Sequence, residues 1–352
     1  MIKQNKTLKK IISETTIEKL NSKERKKFID RVLSTKNKTD NDLKHFFSKF
    51  NNITIDYLIL PLYILKNNKT LDFNLSPEQI TLTIHQLDQI IKKNNELTIY
   101  TQLLMINKEQ NLNFSSEQIT TFLEKTDLFI QNDNGWTTPM LILKYNKDQN
   151  LNLSPNQILS IIEKSDLSIQ DKNGLTLPMH LLSNNKNQNL NLSPDQIIPI
   201  IEKSDPTIKT KIEYSLLMFL LLTNKIQNIN LSTNQIFTLL KKTKIQDNKI
   251  IKHIFRNNKI QNFNFSSEQI STIIKKTNPL LLNNEIVTIF FLNLGEQFEL
   301  SEEDLHKTIK FFNSTIKEIN PENKEKINRI LTHYNIKENI QINSTKKTTT
   351  KL

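Results

Sequence analysis

The stretch that decides the fold is "QNLNLSPDQIIPIIEKSD" at residues 188–205, because close copies of its central part recur along the chain. The relatives of "NLSPDQI" are "NLSPEQI" at 74–80, "NFSSEQI" at 113–119, "NLSPNQI" at 152–158, "NLSTNQI" at 230–236 and "NFSSEQI" at 264–270. A catalytic motif normally occurs once in a chain, so six copies indicate a structural unit.

The copies follow a regular period. The serines of the first five are 39 residues apart, and steps of 34 and 35 residues lead to Ser266 and to a degenerate copy at Ser301. An Asn-Lys pair lies eight residues before the serine in six copies. Three further residue types keep the register: Pro61, Pro139, Pro178; Met140, Met179, Met218; Gly135, Gly174. Such a period is typical of a solenoid, in which each repeat packs only on its neighbours.

The motif predicts the start of a helix in each repeat. Ser193 and Gln196 have the spacing of a capping box, in which the serine hydroxyl accepts from the Gln196 amide and the glutamine side chain accepts from the Ser193 amide. Pro194 fits the first helical position, where a missing N–H costs nothing. The isoleucines that follow indicate a helix with a broad buried face: Ile197, Ile198, Ile200, Ile201.

A shorter apolar segment before each motif predicts a first helix. These segments are 137–146, 176–185 and 213–224. The polar linker between the two helices is interrupted by Leu190 and Leu192, which we expect to anchor it in the core. Asn-Gly between successive repeats indicates a tight turn. The fold class predicted is therefore all-α, an α-solenoid of stacked helix pairs with helical caps.

Two segments resemble ankyrin repeats, whose unit begins with Asp-x-x-Gly-x-Thr-Pro-Leu-His. They are "QNDNGWTTPM" at 131–140 and "QDKNGLTLPMHLL" at 170–182, and "EKSD" at 202–205 stands where that family has Gly-Ala-Asp. The repeat here is 39 residues instead of 33, and the excess lies in "NQNLNLS" between the helices. Alanine is absent, and only two repeats keep the glycine. The resemblance covers residues 55–285.

The resemblance and the helix pattern predict four regions. Residues 1–52 form a basic helical N-terminal cap, and residues 53–298 form the ankyrin-like repeat array. A helical C-terminal cap follows over 299–340. Residues 341–352 have no apolar periodicity, which is typical of a disordered tail.

The composition favours a protein without disulfides or a membrane span. The chain has no cysteine, and its longest uncharged apolar run, residues 214–224, is about half of what a bilayer span needs. The first residues lack the apolar segment of a Sec signal peptide. We therefore expect a cytoplasmic protein, or one secreted without a Sec signal.

No constellation of catalytic residues is visible. The six histidines have no metal-ligand spacing, and His180 in the ankyrin register is expected to pack structurally. The repeated serines begin helices, and no base recurs at a matching distance from them. Three glycines are too few for a phosphate-binding loop. We expect no enzymatic activity, no metal and no cofactor.

The turns between repeats are the candidate binding site, because they vary while the framework repeats. Trp136, Leu175 and Tyr214 follow one another at 39 residues, and large side chains at exposed tips make good interface anchors. The other candidate residues are polar: Asn132, Asp133, Asp171, Lys172, Lys211, Glu213. Two alternatives stay open at this point. Trp136 packs inside the array against Leu97 or Leu175, or the tips vary only by neutral drift.

The functional expectation is a monomeric scaffold that binds a protein partner through the concave, hairpin-tip side of its repeats. With its composition rich in Asn, Lys and Ile, this chain resembles the repeat proteins of obligate intracellular bacteria. The resemblance implies a secreted effector that acts on host proteins. The alternative is a basic protein that binds nucleic acid or an anionic surface through its lysine-rich first 50 residues, since the net charge is +12. These lysines lack the interleaved aromatic residues of a stacking platform.

Overall fold

The computed structural model describes most of the chain. The described residues are 12, 19–35, 38–50, 54–55, 58–94, 98–242, 248–259, 261–277, 284–315, 318–319, 321–333 and 343–344. They divide into two compact units. Unit 1 comprises residues 1–166 with 187–190, and unit 2 comprises residues 167–186 with 191–352.

Unit 1 contains eight described helices and one short strand pair. The strands β1 (Thr54–Ile55) and β2 (Leu58–Ile59) are antiparallel. The helices are α1 (Ser22–Leu33), α2 (Asp40–Phe50), α3 (Leu60–Lys66), α4 (Pro77–Asn94), α5 (Thr98–Met105), α6 (Ser116–Glu124), α7 (Thr138–Tyr145) and α8 (Pro155–Glu163).

Unit 2 is also helical in its described part. Its helices are α9 (Leu177–Asn184), α10 (Pro194–Lys203), α11 (Leu216–Thr223), α12 (Thr233–Lys242), α13 (Asn248–Asn257), α14 (Ser267–Lys276), α15 (Asn284–Asn293), α16 (Glu302–Thr315) and α17 (Pro321–His333). The strands β3 (Glu318–Ile319) and β4 (Asn343–Ser344) pair in parallel.

The all-α, repeat-based solenoid predicted from the sequence is confirmed. Helices pack in chain order within each unit: the first helices α5 and α7 are in contact in unit 1, and the first helices α9 and α11 are in contact in unit 2. Second helices pack in the same way, as α12 does with α14. Within each unit, neighbouring repeats therefore bury their apolar faces against one another, as the repeats of a solenoid do.

The predicted end segments are helical as well. In unit 1 the basic cap forms α1 and α2, and its apolar side chains are buried, Phe46 and Phe50 among them. In unit 2 the predicted C-terminal cap forms α16 and α17. Within the predicted tail, Asn343–Ser344 forms β4, and the residues that follow it lie outside the described part.

Capping boxes begin the second helices, as the motif predicts. In unit 1 the Ser154 amide donates to Gln157 Oε1 at 3.0 Å, and the Gln157 amide donates to Ser154 Oγ at 3.4 Å. Ser115 and Ser266 form complete boxes too. At Ser193 the amide donates to Gln196 Oε1 at 3.0 Å. A capping residue of this kind contributes about 1 kcal/mol to helix stability.

The same glutamines also join consecutive second helices. Gln157 Nε2 donates to Ser116 Oγ at 2.8 Å and to Thr120 Oγ1 at 2.9 Å, both on α6. In unit 2, Gln269 Nε2 donates to Asn234 Oδ1 at 3.0 Å. One residue of the repeated motif therefore both starts its own helix and fixes the position of that helix on the preceding one.

The linker between the two helices is held by asparagines in the left-handed backbone region. In unit 1, φ is 53° at Asn150 and 49° at Asn152, and the side chains of Leu151 and Leu153 beside them are buried. Asparagine tolerates this region better than other residues with a Cβ atom. The alternation of left-handed asparagines and buried apolar residues explains why "NxNx" precedes five of the serines, with Asp72 replacing the first asparagine at Ser76. The predicted anchoring by leucines is confirmed, since Leu190 and Leu192 are buried.

A buried asparagine explains the recurrent Asn-Lys pair. Asn146 Oδ1 accepts from the Leu153 amide at 2.9 Å, and Asn146 Nδ2 donates to the Gln188 carbonyl at 3.1 Å. The same pattern recurs in unit 1 at Asn68 and Asn107 and in unit 2 at Asn258. One side chain thus satisfies backbone groups in its own linker and in the linker of the next repeat.

The described helices include none that is long and apolar enough to cross a membrane.

Candidate functional site

The turns between repeats share one geometry, in which a polar residue closes the turn on itself. In unit 1, Asn132 Oδ1 accepts from the amides of Asn134 and Trp136 at 2.9 and 3.0 Å. Its own amide donates to the Trp136 carbonyl at 3.0 Å. Asp171 and Thr210 hold the equivalent positions in unit 2. Single antiparallel bridges close these hairpin-like tips: Gln131 with Thr137, Gln170 with Thr176, Lys209 with Ser215.

Asp171 belongs to the framework of its turn and not to its exposed surface. Its Oδ1 accepts from the amides of Asn173 and Leu175 at 2.8 and 2.9 Å, and its Oδ2 lies 3.1 Å from His180 Nε2. The side chains of Asp171 and His180 are 0% and 6% exposed. The sequence placed Asp171 among the partner-contacting residues, but a carboxylate buried in this way is committed to the turn. His180 makes the structural contact expected of it.

The remaining predicted tip residues lie at or near the surface. The exposed ones are polar: Asn132, Asp133, Lys172, Lys211, Glu213. Trp136, Leu175 and Tyr214 are half-buried. Unit 1 holds Asn132, Asp133 and Trp136, and the others belong to unit 2. The structure therefore brings together one group of candidates in each unit.

Adjacent tips in unit 2 are locked together through their backbones. The Lys211 amide donates to the Asn173 carbonyl at 3.0 Å, and Gln170 Nε2 donates to the Lys209 carbonyl at 3.0 Å. A Cβ atom on Gly174 would lie 2.9 Å from Thr210 Cα, so a side chain there would force the tips apart. The tips of unit 2 therefore form one rigid edge.

Glu213 occupies the register of the turn glycines. Its φ is 62°, whereas Gly135 and Gly174 have φ of 75° and 80°. A side chain in this region costs about 1–2 kcal/mol in backbone strain. Of the three residues at this turn position, Gly135, Gly174 and Glu213, only Glu213 therefore carries backbone strain.

Trp136 is part of an aromatic and cationic cluster in unit 1. Lys144 Nζ lies 3.9 Å from the centroid of the Trp136 ring, within the range of a cation–π interaction. The Tyr145 ring is tilted against Trp136 with centroids 6.4 Å apart. Leu97, one of the two packing partners considered for Trp136, lies outside the described residues.

Trp136 also lines an open groove in unit 1 with a volume of about 400 Å³. The groove lies between α5 and α7, and the tip at 127–132 closes one side. Most of the surface that lines it is apolar, and its apolar residues are Met105, Ile106, Ile130, Trp136 and Leu141. The polar members come from neighbouring segments: Lys66, Thr101, Gln102, Thr126, Asp127, Gln131, Asn132, Thr138. This size and composition are those of a site for one or two side chains of a ligand.

Two apolar residues beside the groove were missed by the sequence interpretation. Phe129 is 54% exposed and Ile130 is 43% exposed. One repeat later the register of Phe129 holds Ser168, and two repeats later it holds Thr207. This departure from the repeat was the available signal, since a phenylalanine where other tips have a hydroxyl residue is not required by the fold.

The second aromatic tip, in unit 2, carries a lysine as well. Lys249 Nζ lies 5.1 Å from the centroid of the Tyr214 ring and donates to the Ile212 carbonyl at 2.7 Å. Phe219 packs edge-on against Tyr214 with centroids 6.2 Å apart. Ile212 is 63% exposed. Apolar exposure at the tips is thus present in both units.

Outside the tips, ionisable groups of the described part form ion pairs and hydrogen bonds within the protein. No group of three or more His, Asp or Glu residues described here is arranged to hold a metal ion. In unit 1, Lys125 Nζ lies 2.6 Å from Asp88 Oδ2, and the Tyr100 hydroxyl donates to the other oxygen of Asp88. Burial and this carboxylate raise the pKa of Tyr100.

Several lysines of the N-terminal cap contact the protein itself. Lys49 Nζ donates to the Ile12 carbonyl at 2.7 Å, and Lys38 Nζ donates to the Phe73 carbonyl. Lys26 Nζ lies 5.8 Å from the centroid of the Tyr63 ring. Burial lowers the pKa of Lys38. Lys3, Lys6, Lys9, Lys10 and Lys36 of this region lie outside the described part.

Comparison with known proteins adds no family. The chain matches no protein-family model, and no curated protein matches it at a significant level. The ankyrin resemblance therefore stays a prediction that rests on residues 131–140 and 170–182.

Proposed function

We propose that this chain is a non-enzymatic scaffold that binds a protein partner through the tips of its repeats, with Trp136 as an anchor. The observation that carries the proposal is the contrast between framework and tips. The capping boxes and buried asparagines repeat with nearly unchanged geometry, whereas unit 1 exposes Phe129 and Ile130 beside the half-buried Trp136. Exposed apolar residues that cluster beside a groove favour recognition of another molecule.

The rigidity of the tips supports this role. Asn132, Asp171 and Thr210 each close a turn with their own side chain, so little conformational entropy is lost when a partner binds. Aromatic side chains with few rotatable bonds contribute large contact area at low entropic cost, which suits Trp136 and Tyr214.

An affinity capture experiment tests the proposal. The full chain with Trp136→Ala, Lys172→Ala and Tyr214→Ala is compared with the unmodified chain, and captured proteins are identified by mass spectrometry. The matched control replaces Lys147 and Lys225 by alanine, since these exposed lysines lie in the linkers at the other ends of their first helices. We expect the tip variant to lose partners that the control retains. Equal capture by all three chains would exclude the tips as the binding surface.

The biological setting is a further part of the proposal. The resemblance to repeat proteins of obligate intracellular bacteria supports a secreted effector whose partner is a host protein. Capture from host-cell lysate and from lysate of the producing cell separates the two settings, because a host partner is recovered only from the first.

Binding of an anionic polymer or surface is the second candidate, supported by the net charge of +12. Binding carried by charge weakens steeply as salt is raised, because condensed counterions are released. Titrations with duplex DNA and with phosphatidylserine vesicles at increasing salt concentration test this candidate. An affinity that does not change with salt concentration rejects it.

A further inference from the structure

The groove beside Trp136 has an apolar floor and an unequal distribution of charge. The apolar residues of its described lining, here called the floor, are Met105, Ile106, Ile130, Trp136 and Leu141. Lys66 contributes an ammonium group to the lining, and Lys144, which is not a lining residue, places a second one 3.9 Å from the centroid of the Trp136 ring. The groove is therefore complementary to a ligand that carries an apolar side chain and a negative charge.

The one carboxylate among the described lining residues accepts a hydrogen bond within its own turn. Asp127 Oδ1 accepts from the Phe129 amide at 2.9 Å, two residues later in the chain. Lys66 Nζ, in contrast, donates to the neutral Oε1 of Gln102 at 2.6 Å. Burial lowers the pKa of Lys66, which means that its charged form is desolvated without full compensation. A carboxylate from a ligand would supply that compensation.

We propose that the Trp136 groove binds an acidic, extended segment of the partner protein, with one large apolar side chain on the groove floor and a neighbouring carboxylate paired with Lys66. This assignment rests on the proposed function and specifies the chemistry of its partner. The volume of about 400 Å³ fits one or two side chains, not a folded domain. The exposed Phe129 and Ile130 extend the apolar surface beyond the groove, so the segment continues over the tip.

A basic segment is disfavoured by the same geometry. It would bring a cation toward Lys66 and Lys144, and like charges in a partly desolvated site repel strongly. A purely apolar segment would fill the floor but leave Lys66 desolvated. The acidic segment is the occupant that satisfies both parts of the groove.

Trp136 provides a direct readout, because it is the sole tryptophan of the chain. Short synthetic peptides without tryptophan are titrated into the full chain while the emission of Trp136 is followed. In each peptide a pair of leucines is flanked by aspartates, by asparagines or by lysines. We expect a saturable change with the aspartate peptide, an affinity about tenfold weaker with the asparagine peptide, and no saturation with the lysine peptide.

Variants at Lys66 test the charge pair. Lys66→Gln keeps a donor for Gln102 but removes the charge, so we expect it to bind the aspartate and asparagine peptides equally. Lys66→Arg keeps the charge and is expected to retain the preference. Lys147→Gln, at an exposed linker lysine of the same unit, is the matched control and should behave as the unmodified chain. Circular dichroism and the urea midpoint establish that each variant is folded.

The outcomes separate this inference from the proposed function. Saturable binding of the asparagine or lysine peptide as tight as that of the aspartate peptide overturns the acidic assignment and leaves a tip that binds partners. A preference for aspartate that survives in Lys66→Gln overturns the role of Lys66. No saturable response to any peptide overturns the groove as a peptide site, whereas the proposed function is decided separately by the capture experiment.

Discussion

Asn146 Oδ1 accepts a hydrogen bond from the amide of Leu153, which lies seven residues later in the chain and 2.9 Å away. The same side chain donates through Nδ2 to the carbonyl of Gln188 at 3.1 Å. Asn146 is buried, so both backbone groups depend on this amide in place of water. A single asparagine thus joins the end of one helix, the start of the next and the linker of the following repeat.

Replacing Asn146 by alanine is expected to destabilise unit 1 by about 2–4 kcal/mol. The substitution leaves a buried N–H and a buried C=O without partners, and each such group costs about 1–3 kcal/mol. Urea unfolding followed by circular dichroism measures the change. Lys147→Ala, the exposed neighbour, is the control and should shift stability by less than about 0.5 kcal/mol. Equal effects of the two substitutions would refute the bridging role.

Glu213→Gly is expected to stabilise unit 2 by about 0.5–1 kcal/mol. The residue has φ of 62°, and glycine adopts this region without strain. Part of the gain is offset because glycine increases the entropy of the unfolded chain. The exposed Lys209–Glu213 pair, 3.6 Å apart, contributes little. A raised urea midpoint checks the prediction, and a lowered one would show that the turn does not store this strain.

Gly174→Ala is expected to act in the opposite direction at the equivalent turn position. Its φ of 80° disfavours a side chain, and the added Cβ would lie 2.9 Å from Thr210 Cα. We expect a loss of more than about 1 kcal/mol, because strain and displacement of the neighbouring tip add. Since Thr210 is backbone-bonded within its own turn, relaxation there is restricted. Unchanged stability would mean that the two tips separate without cost.

The framework was largely readable from the sequence because its signals are local. Serine with glutamine three residues later fixes a helix start wherever it occurs, and the structure has a box at Ser154 as at Ser115. The role of Asn146 was not readable, although its recurrence was visible. Its partners lie 7 and 42 residues away, and no local rule connects them.

The candidate site was readable only in part. The 39-residue spacing of Trp136 and Tyr214 identified the aromatic tips. Asp171 was predicted to be an exposed tip residue, but its carboxylate is buried in the turn. The side chain of a turn residue points inward or outward according to its hydrogen bonds, which sequence spacing alone does not specify. Phe129 lies outside the register of Trp136 and Tyr214, so the 39-residue spacing that identifies the aromatic tips does not include it.

His253 is expected to make the stability of unit 2 depend on pH. Burial lowers its pKa below the ordinary value of 6.5, and its Nε2 is buried without a hydrogen-bond partner in the described structure. Below pH 6.5 the unfolded chain binds a proton at His253 more readily than the folded chain does. The free energy of unfolding therefore falls as the pH is lowered from 6.5 through the pKa of His253 in the folded state. Urea midpoints between about pH 7 and pH 5 measure this loss.

His253→Gln should reduce the fall in midpoint over this range, because the titrating group is removed. The matched control is His306→Gln in the same unit, where the imidazole is more exposed and lies 3.7 Å from Glu302. That variant should keep the fall due to His253. If His253→Gln and the unmodified chain lose stability in parallel, the pH dependence arises from other groups.

Phe129→Ser is expected to weaken partner binding without changing stability. Serine is the residue that the next repeat has in this register, at Ser168, and the Phe129 side chain is 54% exposed. The turn bond from the Phe129 amide to Asp127 Oδ1 is made by the backbone and is retained. Stability should therefore change by less than about 0.5 kcal/mol, while capture of partners falls. Leu292→Ser controls for general hydrophobicity, since Leu292 is 52% exposed on a helix of unit 2 and not on a tip. A similar loss of capture in both variants would show that exposed apolar surface, not the tip beside Trp136, retains the partner.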